Sequence, residues 1–174
     1  MKILLLFISW ALAQGTFDSK LITAINEESV ATVKKLAQDP QELKKKDSSG
    51  HDPLYHAVSL NNPRIVEILL KSGASTSERY GETGESILFE ATRLGSPKVV
   101  TLLLEKNPEL LTVKNQKQET PLFEAIRANQ SAVAQIYLKR GLSLSDKNVE
   151  GKSPKSFLDP TNEKMAKLLK QHKK

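Results

Sequence analysis

Catalysis in a chain without cysteine has to be built from His, carboxylate, Lys, Arg or hydroxyl groups. This sequence has no cysteine and three histidines, His51, His56 and His172, which excludes disulfides and thiolate-bound zinc. None of the histidines has a partner at metal-ligand or triad spacing. His51 falls in a turn and His56 on a groove-facing helix position, both read as exposed. A glycine-rich phosphate loop is absent. The nearest thing to a constellation is a charge ladder, with Glu90 and Glu124 each followed three residues later by Arg93 and Arg127. On a helix that spacing puts opposite charges on one face and gives about 0.2 to 0.5 kcal/mol per pair. The ladder reads as structural support first and contact surface second. Lys164, Lys167, Lys170, Lys173 and Lys174 make the C-terminal segment basic, a solvated cap helix before it is a site for an acidic partner or an anionic polymer. Asn129-Gln130-Ser131 matches a glycosylation acceptor, meaningful only in a eukaryotic source. No catalytic residue, metal site or cofactor is expected.

These side chains need a scaffold, and 174 residues suit one domain with a sizeable core. Aromatic residues at 5%, with 8 Gly and 8 Pro, point to a helical protein whose core is Leu, Ile, Val and Ala. The formal net charge of +6 is scattered and mixed with Glu rather than gathered into a patch with interleaved aromatics, which argues against nucleic acid.

Self-comparison gives the architecture. Gly50-His51-Asp52-Pro53-Leu54-Tyr55-His56-Ala57, Gly84-Glu85-Ser86-Ile87-Leu88-Phe89-Glu90-Ala91 and Gln118-Glu119-Thr120-Pro121-Leu122-Phe123-Glu124-Ala125 recur 34 residues apart. Each is followed by an apolar run, Ile65 to Leu70, Val99 to Leu104 and Val133 to Leu138. Eroded copies flank them. Leu21, Ala24, Ile25, Val33 and Leu36 match at a step of 33, and Gly151 to Pro154 restarts the pattern before Met165, Ala166, Leu168 and Leu169, read as a shortened second helix. The pattern predicts pairs of short antiparallel helices. Pro53 and Pro121 suit a first helical turn, and Asp52, Ser86 and Thr120 stand at N-cap positions. Pro63 and Pro97 open second helices. Gly73 and Gly141, with Asn107 in the middle copy, stand where those helices stop and a positive φ is convenient. A single pair cannot bury its apolar face, so the copies must stack.

The residues just quoted resemble the ankyrin-repeat pattern G-x-T-P-L-H-x-A-A…I-V-x-L-L-L-x-x-G-A over roughly residues 17 to 172. A tetratricopeptide pair shares the period but not the proline-opened short helix or the Gly-Ala ending. The resemblance implies an all-α solenoid of three full repeats with N- and C-terminal capping repeats, at roughly 17–46, 47–80, 81–114, 115–147 and 148–172. The family's His of T-P-L-H is replaced by Tyr55, Phe89 and Phe123, where aromatic stacking would stand in for its loop hydrogen bonds. The family grips proteins with inter-repeat loops as fingers and first helices as palm. Carried over position by position, the fingers fall on Ser48, Ser49 and His51, then Arg79, Tyr80, Glu82, Thr83 and Glu85. They continue with Lys114, Gln116, Lys117 and Glu119, then Lys147, Val149, Glu150 and Lys152. The palm falls on Ser59, Leu60, Arg93, Leu94, Arg127 and Ala128. An exposed Tyr80 beside Leu60 and Leu94 would make the hot spot.

Lys2, the apolar run Ile3 to Ala13 and its Ala11-Leu12-Ala13 ending read as a secretory signal peptide, residues 1–13, too short to span a membrane. Cleavage would leave a domain from Gln14, residues 14–174, periplasmic or secreted and a monomer when free. Combined with the resemblance, this implies a non-enzymatic module that binds another exported protein. It is similar to bacterial self-protection (immunity) proteins that sheathe a cell-wall hydrolase and inhibit it. Two other implications stand beside it: a periplasmic scaffold or stabiliser in stress defence, and a secreted effector that binds a host protein.

Overall fold

Nine short α-helices follow one another among residues 19–172, the part of the chain that the computed structural model describes. The expected signal peptide at 1–13 lies outside the described residues. The helices are α1 (Lys20–Asn26), α2 (Val30–Leu36), α3 (Pro53–Ser59), α4 (Pro63–Lys71), α5 (Ile87–Arg93), α6 (Pro97–Lys106), α7 (Pro121–Arg127), α8 (Ser131–Lys139) and α9 (Glu163–Gln171). The only strands among the described residues are β1 (Arg79–Tyr80) and β2 (Glu85–Ser86), an antiparallel finger pairing Arg79 with Ser86 and Tyr80 with Glu85. The fold is an all-α solenoid of stacked helix pairs.

Each pair packs on itself, α1 on α2, α3 on α4, α5 on α6 and α7 on α8, and the stack runs in two rows. The inner row is α1, α3, α5 and α7, and the outer row is α2, α4, α6, α8 and α9, each helix touching the next in its row. Core residues recur at the repeat step. Leu54, Leu88 and Leu122, Ala57, Ala91 and Ala125, and Leu69 and Leu103 are all buried. A fully buried Leu contributes about 1.5 to 3 kcal/mol, and the small Ala row lets neighbouring inner helices approach. A buried polar contact joins two neighbouring repeats within the helices, Thr92 Oγ1 to Tyr137 Oη at 2.5 Å. Burial pushes the Tyr137 hydroxyl well above its usual range.

Helix ends depart from the sequence expectation in four places. Asp52 caps α3, accepting from Tyr55 N at 2.8 Å. Ser86 and Thr120 occupy the matching positions but make no cap bond, and their hydroxyls are buried without partners. Gly73 and Gly141 adopt φ of +95°, whereas Asn107 does not take the left-handed turn: its φ is −143°. Pro108 follows it and forces the residue before into extended backbone, and Asn107 instead caps a 3₁₀ turn, Pro108–Thr112, through Glu109 N at 3.1 Å. In the last repeat the first helix, not the second, is shortened. It is a 3₁₀ turn, Pro154–Phe157, stopped ahead of Pro160, while α9 keeps nine residues.

Candidate partner-binding face

Three of the four fingers are built by one side chain apiece. Asp47 Oδ1 accepts from Ser49 N and His51 N, Asn115 Oδ1 from Lys117 N and Glu119 N, and Asn148 Oδ1 from Glu150 N and Lys152 N, all at 2.8 to 3.1 Å. Such turns suit Asx residues because the short polar side chain imitates a backbone carbonyl. In the second finger Gly81 stands at that step, and the β1–β2 hairpin replaces the Asx turn. The residue three places on has positive φ in every finger, at Gly50, Gly84, Gln118 and Gly151. Neighbouring fingers are stitched by backbone, Gln116 N to Thr83 O at 2.9 Å and Val149 N to Lys117 O at 3.0 Å. Sequence reasoning missed Asp47, Asn115 and Asn148 as finger builders. Their signal was a carboxylate or amide recurring four residues before His51, Glu119 and Lys152.

The palm is a cross-repeat ion network. Arg93 donates to Glu85 at 2.7 Å, to Glu90 at 2.5 Å and, across the repeat boundary, to Glu124 at 3.1 Å. Arg127 donates to Glu119 at 2.9 Å and Glu124 at 2.8 Å, and its guanidinium lies 4.6 Å above the Phe157 ring. Burial works against the Arg93 charge, but the Glu85 hydrogen bond and the carboxylates of Glu124, Glu85 and Glu90 outweigh it and hold its pKa above the ordinary arginine value. Arg127 is raised in the same way, against burial, by Glu119 and Glu124. The expected pairs within each helix are present, and the links to Glu85, Glu119 and the next repeat extend them into one assembly.

Of the expected finger and palm positions, Ser48, Ser49, His51, Leu60, Arg79, Glu82, Thr83, Glu85, Arg93, Leu94, Lys114, Gln116, Lys117, Arg127, Lys147, Glu150 and Lys152 are exposed or half-buried. Leu60 and Leu94 are 41% and 39% exposed. Two positions are corrected. Tyr80 is buried, not an exposed anchor, because its hydroxyl donates to the buried Asp52 carboxylate at 2.9 Å and ties the second finger to the cap of α3. Burial pushes the Asp52 carboxyl up, against the bonds from Tyr55 N and Tyr80. Glu119 is 2% exposed, enclosed by Arg127 and by Asn148 Nδ2 at 2.9 Å, so it supports the finger rather than contacting solvent.

The histidines are half-buried rather than exposed. His56 Nε2 lies 3.0 Å from Asp47 Oδ2 and His51 Nδ1 3.7 Å from it. Burial opposes ionisation of Asp47, but the backbone N–H groups of His51 and Ser49 and the His56 ring overcome it and lower its pKa. Tyr55, at the first of the T-P-L-H histidine positions, stacks on His51 at 3.8 Å and tilts against Tyr80 at 4.8 Å. Phe123 meets Phe157 edge-on at 6.1 Å, and Phe89 is fully buried. Among the described residues no group of three His, Cys, Asp or Glu side chains is arranged to hold a metal ion, and no helix is long and apolar enough to cross a membrane.

Comparison with known proteins follows the same repeats. The family profile for ankyrin repeats, in three copies, matches residues 12–112. A stretch of 37 residues is 54% identical to the ankyrin repeat protein L484 of Acanthamoeba polyphaga mimivirus. That stretch is 21% of this chain and spans only 2% of the viral protein's length.

Proposed function

Because the chain belongs to the ankyrin-repeat family, a family of protein-binding modules, we propose that it is an exported module whose fingers and palm close over another exported protein. The partner proposed is an enzyme such as a peptidoglycan hydrolase, and the effect is inhibition by occlusion, for the protection of the producing cell. One observation carries the binding face: a continuous row of accessible side chains stands on fingers and palm that are already fixed, by Asx turns beneath the fingers and the Arg93–Arg127 network beneath the palm. A face fixed before it binds loses less side-chain entropy on association. Export is supported by Lys2, the short apolar run to Ala13 and its small-residue ending. Covering a cleft needs no catalytic side chain, in keeping with the non-enzymatic role.

The test is capture from a periplasmic or secreted extract with tagged full-length protein, followed by a turnover assay of any captured hydrolase. The reading expects inhibition at stoichiometric ratios, lost when Arg79, Lys117 and Lys152 are changed together to Glu. A captured enzyme that keeps full turnover inside the complex would replace inhibition with scaffolding. Protein found in the cytoplasm with Met1 intact would remove export.

A further inference from the structure

The palm repeats a three-residue rung, and the rungs are not equally complete. At the repeat step the positions are His51, His56 and Ser59 in one inner helix and its finger, Glu85, Glu90 and Arg93 in the next, and Glu119, Glu124 and Arg127 in the third. In the completed case, Glu124 accepts from two guanidiniums, its own repeat's Arg127 at 2.8 Å and the preceding repeat's Arg93 at 3.1 Å. Glu90 is the equivalent carboxylate one repeat earlier and pairs with one, its own Arg93 at 2.5 Å. The residue that should reach it from the preceding repeat is Ser59, too short to do so. The Ser59 Oγ is buried, beside the Tyr55 hydroxyl, and does not extend to Glu90.

No second cation among the described residues fills that gap; the Tyr55 hydroxyl, whose pKa is raised by burial and by the nearby Glu90 carboxylate, lies beside it and brings no positive charge. His51 and His56 are turned to Asp47, at 3.7 Å and 3.0 Å, and Glu85 is already shared with Arg93. The network as a whole holds four carboxylates, Glu85, Glu90, Glu119 and Glu124, against two guanidiniums. The exposed Leu60 stands beside Ser59 in sequence and the exposed Leu94 beside Arg93, so apolar surface is at hand for a side-chain stem.

We propose that the unfilled Glu90 rung receives an arginine side chain of the bound protein, which completes across the interface the double guanidinium contact that Arg93 and Arg127 make to Glu124. The planar fork of Arg suits a carboxylate already held from one side, and its stem would lie along Leu60. This rests on the reading of the palm as the binding face and adds the chemistry of the partner.

The experiment is an NMR titration of the full chain with a short arginine peptide, beside a glutamate peptide of equal length. Saturable shifts are expected at Ser59, Leu60 and Glu90 with the arginine peptide alone. Ser59→Arg, which supplies the missing guanidinium from the chain itself, should weaken that binding by about tenfold and raise the melting temperature. Glu90→Gln should weaken it comparably and keeps the test decisive if the larger side chain at 59 disturbs folding. Shifts spread evenly over surface carboxylates, or an affinity unchanged in both variants, would overturn the assignment. A partner footprint on fingers and palm with no arginine binding at Glu90 overturns this inference alone. A footprint confined to the outer helices overturns the palm reading from which it starts.

Discussion

Arg127 joins structural support to the proposed contact surface, because one side of its guanidinium neutralises a carboxylate that solvent cannot reach. Glu119 is 2% exposed and accepts both from Arg127 and from Asn148. Removing the cation leaves a buried charge with one neutral partner, and breaking such a pair is far costlier than losing a surface one. Arg127→Met should therefore lower unfolding free energy by about 2 kcal/mol or more, with Arg127 partly exposed and the loss correspondingly below that of a fully buried pair. Denaturant titration measures it. A change within about 0.5 kcal/mol would class the ladder with ordinary surface pairs. Charge reversal at Arg93 and Arg127 is accordingly a poor binding probe, since it disturbs the stack as well.

Two aspartates beside the first finger give opposite pH signatures. Asp47 is lowered by its hydrogen bonds, so the stability it contributes is present above its unfolded pKa and is lost as pH falls through the depressed folded value. Asp52 is raised by burial, so its contribution is present below the unfolded pKa and is lost as pH rises through the raised folded value. In melting curves across the acid range, Asp47→Asn should flatten the loss of stability on acidification and Asp52→Asn should steepen it. Equal slopes in the two variants would contradict the assigned causes.

For the helices and turns, the repeat allows the same position to be compared in different copies. Leu103 in α6 is fully buried with neighbours on both sides, whereas Leu169 in α9 is 5% exposed and packs at the end of the stack. Leu103→Ala should cost about 2 to 5 kcal/mol, and Leu169→Ala less, because a terminal repeat has one neighbour rather than two. Equal losses would be inconsistent with a stacked solenoid. Gln118 offers the converse case. It holds φ of +61° where the other fingers have glycine, and a side chain there costs about 1 to 2 kcal/mol. Gln118→Gly should raise stability by a few tenths to about 1 kcal/mol once the greater freedom of the unfolded glycine chain is subtracted. A loss of stability would mean that the Gln118 side chain makes a compensating contact.

The inner and outer helices were legible in the sequence because prolines, the alanine row and the leucine steps repeat without slipping. What the sequence did not yield is context that the repeat itself cannot encode. Pro108 overrides the turn expected at Asn107, and Pro160 truncates the last inner helix; both effects come from residues outside the shared pattern. At Ser86 and Thr120 the residue type suited a cap, but the hydroxyls do not meet the free N–H groups.

For the whole molecule, residue choice left free by the repeat marked the proposed binding face, and nearly all of those positions are accessible. Tyr80 and Glu119 were misread because period alone does not distinguish a finger side chain that turns outward from one that turns back to a buried neighbour. The Asx turns escaped notice for a related reason: Asp47, Asn115 and Asn148 look like unremarkable loop residues until their backbone partners are seen. The solenoid thus offers two long surfaces, the finger-and-palm side and the outer helices, and the proposed partner uses the first. Hydrogen exchange on the purified complex compares them in one experiment. Protection on binding is predicted at residues 47–52, 79–86, 114–119 and 147–152 and along the exposed ends of α3, α5 and α7, with α4, α6 and α8 unchanged. Protection confined to α4, α6 and α8, with the fingers exchanging as in the free protein, would contradict it.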